Sequence, residues 1–140
     1  MAKNAFITWG GWDGHEPEQT ATLFAEVLRT EGYQVEVSSA LDALEDEAFT
    51  SSQDLIVPVW TMAGISREQE TGLLQAIRAG TGCAGWHGGM ADSFRQNVEY
   101  QFMVGGQFIC HPGGVIDYEV NITSSDPIVS GLSDFTMHSE

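Results

Sequence analysis

Residues 82–92, Gly-Cys-Ala-Gly-Trp-His-Gly-Gly-Met-Ala-Asp, set one titratable side chain, His87, among glycines. Gly85-Trp86-His87-Gly88-Gly89 has the G-x-Nuc-x-G spacing of a nucleophile elbow, a strained strand-to-helix turn that lifts one side chain above a sheet edge. The glycines suit such a turn because a β-carbon would crowd it. With imidazole where serine or cysteine would stand, acyl transfer is lost. General acid/base work remains open, because imidazole titrates near working pH, and so does metal ligation. The same spacing also describes an ordinary glycine-rich βα turn with a solvated histidine.

The elements that must hold this turn can be read from the pattern on either side. Asn4–Trp9 is a short buried strand ended by Gly10-Gly11, and Pro17 suits the first turn of a helix whose stripe is Leu23, Phe24, Val27 and Leu28. Gly32 closes that helix, Tyr33–Val37 alternates as a strand, and Leu41–Leu44 makes a helical turn in an acidic connection. Asp54–Trp60 is near-continuously apolar, as strands covered on both faces are. Ser66 and Gln69 form a capping box for a helix with Leu73, Leu74 and Ile77 inward, ending at Gly80. Gly82–Trp86 is the elbow strand, and Ser93–Val104 reads as a helix with Phe94, Val98, Phe102 and Met103 inward. Short strands follow at Gln107–Cys110, Asp117–Ile122 and Phe135–His138, with a turn or short helix opening at Asp126-Pro127. This alternation predicts a parallel sheet covered by helices on both faces, with an antiparallel flank in the second half.

In such sheets ligands bind beyond the carboxyl ends of the strands. All four tryptophans (Trp9, Trp12, Trp60, Trp86) and all four histidines (His15, His87, His111, His138) fall at or just past expected strand ends. A parallel sheet would gather them at one edge as an aromatic-walled, histidine-bearing pocket. Three chemistries suit that pocket. Imidazoles with Asp13, Glu16 or Glu140 could bind a divalent metal such as zinc. One histidine could act as a general acid or base. Flat tryptophan faces suit the C–H faces of a sugar ring. Each residue also has a plainer role, as a tryptophan packed beneath a helix or a histidine in a turn.

Twenty acids against five bases give a formal net charge of −15, which repels nucleic acid and anionic membranes. No apolar run approaches the ~20 residues of a membrane span, and the chain opens with no positive-then-apolar leader. The expectation is therefore a cytoplasmic protein without a nucleic-acid or membrane partner. Cys83 and Cys110 sit in apolar, strand-like stretches and read as two buried thiols rather than a disulfide.

Four blocks then carry a resemblance: Trp9–Glu16 (Trp-Gly-Gly-Trp-Asp-Gly-His-Glu), Gly85–Phe94, His111-Pro112-Gly113-Gly114 and Met137-His138-Ser139-Glu140. Together they resemble the ThuA-like (trehalose utilisation) family along the whole chain. The resemblance implies a flavodoxin-like three-layer α/β sandwich of the class I glutamine amidotransferase type, as one domain over residues 1–140. In amidotransferases the elbow holds a cysteine and a later His-x-Glu completes a triad. Here His87 stands at the elbow and His138-Ser139-Glu140 matches the His-x-Glu. Losing the thiolate removes the nucleophile that would form a glutaminyl thioester, so a repurposed site is implied.

The family serves bacterial use of trehalose and related disaccharides beside an oxidoreductase that makes 3-keto sugars. A neutral disaccharide or keto-sugar is thus the expected ligand, and that oxidoreductase or a second copy the expected partner. On this basis His87, His138 and Glu140 are the candidate catalytic residues, with His87 and His138 doubling as zinc ligands if a metal is bound. Trp12, Asp13, His15, Trp60, Trp86 and His111 are the candidate sugar contacts. Two other readings stand beside an isomerase or lyase: a non-catalytic sugar-binding subunit, and an amidotransferase-like hydrolase using Cys83. ThuA-like chains run on past the His-Ser-Glu block, so a domain shortened after Glu140 is also expected.

Overall fold

The computed structural model describes residues 2–140, which fall into two compact units, Met1–Phe108 and Ile109–Glu140. The first contains a four-stranded parallel sheet in the order β2-β1-β3-β4, built from β1 (Lys3–Gly11), β2 (Tyr33–Ser38), β3 (Leu55–Thr61) and β4 (Gly82–Cys83). β1 and β3 lie at the centre, and Ala5, Phe6, Ile7 and Thr8 of β1 and Ile56, Val57, Pro58 and Val59 of β3 are all buried. Burial on both faces is why β3 reads as a continuous apolar run. Its partner β4 pairs only Leu55 and Ile56, so Pro58 sits where the ladder has become one-sided and a missing N–H is tolerated.

Side chains alternate along the strands and so feed two cores. On one face Ile7, Val57 and Val59 pack with Ala21 and Ala25 of α1 (Pro17–Thr30). On the other, Phe6 and Ile56 pack with Leu44, with Leu73 and Ala76 of α3 (Arg67–Ala79), and with Phe94 and Tyr100. This is the helix–sheet–helix layering expected of a flavodoxin-like sandwich. Both hydrogen bonds of the Ser66–Gln69 capping box are made, at 3.1 Å each, and Gly80 ends α3 in the left-handed region. No helix among the described residues is long and apolar enough to cross a membrane.

Several elements differ from expectation. The buried stripe of α1 is Pro17, Ala21 and Ala25, with Leu23 and Val27 turned outward at 60% and 47% exposure. Small residues face the sheet because they let the helix approach closely. The acidic connection contains a helix, α2 (Glu47–Ser51), whose first amides bond the Asp46 carboxylate at 2.9 and 3.1 Å. β4 has two residues rather than five.

The helix expected over 93–104 forms only in its second half. α4 (Gly88–Ala91) precedes Asp92, and α5 (Val98–Val104) begins only after Phe94 has taken φ 50°. That turn buries Phe94 edge-on to Tyr100, ring centroids 4.9 Å apart, while Val98 and Phe102 face outward instead of inward. No strand forms at 107–110; the Phe108 amide bonds the Ala91 carbonyl at 2.8 Å. Cys110, expected buried, is exposed.

The second unit is an antiparallel hairpin of β5 (Ile116–Val120) and β6 (Phe135–Ser139), with Asp117 opposite His138 and Tyr118 opposite Met137. A 3-10 turn at Pro127–Val129 is capped by Asp126, which accepts from the Ile128 amide at 2.9 Å.

Candidate functional site

The β2-β1-β3-β4 order makes the strand sequence reverse between β1 and β3, and their outgoing loops there turn to opposite faces. This reversal is where open α/β sheets leave a crevice. At the end of β1, Gly11 has φ 84° and lies so close to β3 that a β-carbon would stand 2.1 Å from the Thr61 carbonyl oxygen. That carbonyl accepts from the Trp12 amide at 3.1 Å, and a 3-10 turn over Asp13–His15 follows. The turn brings His15 Nδ1 to 2.9 Å from Thr61 Oγ1. Trp12, half exposed, sets its ring edge-on to the His15 imidazole at 4.7 Å between centroids.

From the other side comes the elbow. His87 has φ 47° and ψ −135°, a conformation uncommon for a residue with a β-carbon, and its carbonyl accepts from the Ala91 amide to start α4. The turn lifts an exposed imidazole to 4.9 Å from that of His15, at 71° between planes, and 6.4 Å from the Phe108 ring. Gly88 is needed here for space: its β-carbon would meet His15 Cε1 at 2.7 Å.

Beneath the elbow, α4 is pinned at several points. Tyr100 Oη donates to the Met90 carbonyl at 3.0 Å and Ser93 Oγ to the Gly89 carbonyl at 3.1 Å. The Met62 amide donates to the Asp92 carbonyl at 2.9 Å. The Asp92 carboxylate is buried and takes both the Nε and, at 2.9 Å, a terminal nitrogen of Arg95. A buried charge needs such a paired, hydrogen-bonded partner. Burial pushes the Tyr100 phenol upward, so it stays a donor at neutral pH.

The expected site residues thus divide. His15, His87, Trp12 and Asp13 gather around the ends of β1 and β4. Trp86 stacks on Phe24 of α1 at 3.9 Å and packs with Trp9 against the core on that face. Trp60 packs on the opposite face of the sheet with Phe94 and the α3 core, so the tryptophans do not form one wall. His111, His138 and Glu140 belong to the second unit. There His138 Nδ1 lies 2.7 Å from Asp117 Oδ1 across the hairpin, and His111 Nε2 lies 3.6 Å from Glu140. Burial pushes the Cys83 thiol up to about 11, which makes it a poor nucleophile at neutral pH.

No group of three or more His, Cys, Asp or Glu that could hold a metal ion occurs among the described residues. Sequence reasoning missed Thr61, Asp92 and Arg95. Asp92 carried a signal, an acid set just after the elbow among small and apolar residues. Thr61 carried only its place at the end of an apolar strand.

Among proteins of curated function, none matches the chain. Its fold is similar to that of a ThuA-like protein from Bacteroides uniformis, with a TM-score of 0.77 at 16% identity over 98% of this chain and 58% of that one. The chain therefore spans little more than half the length of that structure. The profile of the family described as ThuA, trehalose utilisation, matches residues 4–140, and the chain belongs to that family.

Proposed function

We propose that the Met1–Phe108 unit carries an acid/base centre for a neutral sugar bearing a carbonyl, of the keto-disaccharide class. The observation that carries the reading is the pairing of the His15 and His87 rings at 4.9 Å, with His87 raised on a strained elbow where strand order reverses. Two imidazoles that close suit proton transfer at adjacent atoms of one substrate, because an imidazole ring offers both a nitrogen that accepts a proton and one that donates. The half-exposed Trp12 ring beside them suits a sugar face, and Asp13 in the same turn suits its hydroxyls. Membership in a trehalose-utilisation family supports carbohydrate as the substrate class.

The reaction is proton abstraction from the carbon next to the sugar carbonyl, followed by reprotonation (isomerisation) or loss of a β-substituent (elimination). A positioned acid/base group contributes about 10²–10⁴-fold to such a step. His87→Ala should therefore lower turnover of a 3-keto-disaccharide by at least ~10²-fold, with the far-UV circular dichroism of the wild type retained. Turnover unchanged in that variant removes the proposal. Unchanged sugar affinity in His87→Ala, with a wild type that binds but converts nothing, would favour a sugar-binding subunit instead.

A further inference from the structure

The Thr61 hydroxyl is buried, the residue being 2% exposed, and His15 Nδ1 at 2.9 Å is its one hydrogen-bond partner among the described residues. Either the ring N–H donates to the hydroxyl oxygen, or the hydroxyl donates to an unprotonated Nδ1. In the first arrangement the hydroxyl proton is shut inside the protein with no acceptor, the costly outcome for a buried donor. In the second the proton is used and only oxygen lone pairs go unfilled, the milder deficit. Which neutral tautomer an imidazole holds follows from the hydrogen bonds its ring nitrogens make.

Thr61 is also well placed to impose the choice. Its carbonyl accepts from the Trp12 amide at 3.1 Å and the Ala63 amide at 2.8 Å, and its β-branched side chain has few rotamers. One residue thus clamps the Asp13–His15 turn at both ends, by main chain to Trp12 and by side chain to His15. Gly88 leaves room for the Nδ1–Cε1 edge of the ring to seat there.

We infer that Thr61 is a positioning residue that holds neutral His15 in its Nε2–H tautomer, making His15 the hydrogen-bond donor and His87 the proton acceptor of the pair. The division of labour rests on the acid/base reading above; the tautomer does not. In the step itself His87 takes the proton from the carbon next to the carbonyl. Negative charge grows on the carbonyl oxygen, and His15 Nε2–H stabilises it by a hydrogen bond without giving up its proton. The proton held by His87 then goes to the former carbonyl carbon while the proton of the neighbouring hydroxyl passes to the charged oxygen, so the carbonyl has moved by one carbon and nothing is consumed.

The test is two-bond ¹H–¹⁵N spectroscopy of the histidines at alkaline pH, where imidazoles are neutral, assigned with His15→Gln. His15 should show an unprotonated Nδ1 and a protonated Nε2 in the wild type. Thr61→Val should give a mixed or inverted tautomer, and Thr61→Ser should restore the wild-type pattern. Turnover should fall about tenfold in Thr61→Val with little change in KM, and return in Thr61→Ser. A protonated Nδ1 in the wild type overturns the inference, and this needs no variant to fold. An Nε2–H tautomer that persists in Thr61→Val overturns the role of Thr61. A tautomer that behaves as expected in a protein without turnover leaves the inference standing and counts against the acid/base reading instead.

Discussion

Cys83 lies on β4 four positions before His87, yet burial has taken it out of the chemistry. With its pKa pushed up to about 11, the thiolate fraction at pH 7 is about one in ten thousand. Iodoacetamide at neutral pH should therefore modify Cys110, which is exposed, and reach Cys83 only on unfolding, as mass spectrometry of quenched digests would report. Rapid labelling of Cys83 in the folded protein would revive the amidotransferase-like reading. The raised value also sets a sign for stability. Between the ordinary thiol value of 9.0 and about 11 the folded chain holds a proton that the unfolded chain has released, so stability falls as pH rises through that window. Denaturant unfolding at pH 8 and 10.5 should show a shallower loss in Cys83→Ala than in wild type; the slope, not the offset, is diagnostic. Tyr100, also raised by burial, adds a fall of the same sign at higher pH.

Among the elements, α3 shows how propensity and packing compete. Gly72 sits inside this helix, where alanine is intrinsically better by about 1 kcal/mol. A β-carbon there would stand 1.8 Å from the Leu44 carbonyl oxygen, a backbone atom that cannot swing aside. The clash should win, so Gly72→Ala is expected to destabilise by about 2 kcal/mol or more by chemical denaturation. Stability equal to or above wild type would show that α3 does not dock so closely on the 3-10 turn at Asp42–Glu45.

Such contacts mark the boundary of what the chain declares about itself. Caps and strand ends depend on near neighbours, so Ser66, Gln69, Gly80 and the run to Trp60 were legible. The break at Phe94 was not, because a phenylalanine in a left-handed turn is paid for by Tyr100 and Trp60, which local pattern cannot see. Nor was the rotation of α1 onto its alanines, since Leu23 and Val27 are the more hydrophobic choice. The elbow at His87 was legible from its glycines. His15 was legible as a member of the same rim but not as the ring beside His87: the closeness of β1 and β3 puts it there, and Thr61, which seats it, looks like one more strand residue.

For the molecule as a whole, 20 acids against five bases make self-repulsion a standing load on the folded state. Few cations stand among the acids, and the Arg29–Glu26 and Arg78–Glu99 pairs are exposed, so neither offsets much of it. Screening by salt should relieve the load. Raising sodium chloride from low to moderate concentration should lift the melting temperature by about 2–4 °C for each kcal/mol recovered. A melting temperature that falls or stays level would mean the acids are spread too widely to repel.

The backbone around the candidate site carries its own consequence. Four described non-glycine residues have positive φ, and three of them, Glu16, Met62 and His87, follow or form the rim where β1, β3 and β4 end. Each such residue costs the fold on the order of 1–3 kcal/mol. Breeding this protein for heat resistance alone would therefore wear away the rim first. The hardiest descendants would be the ones that had relaxed it and fallen silent.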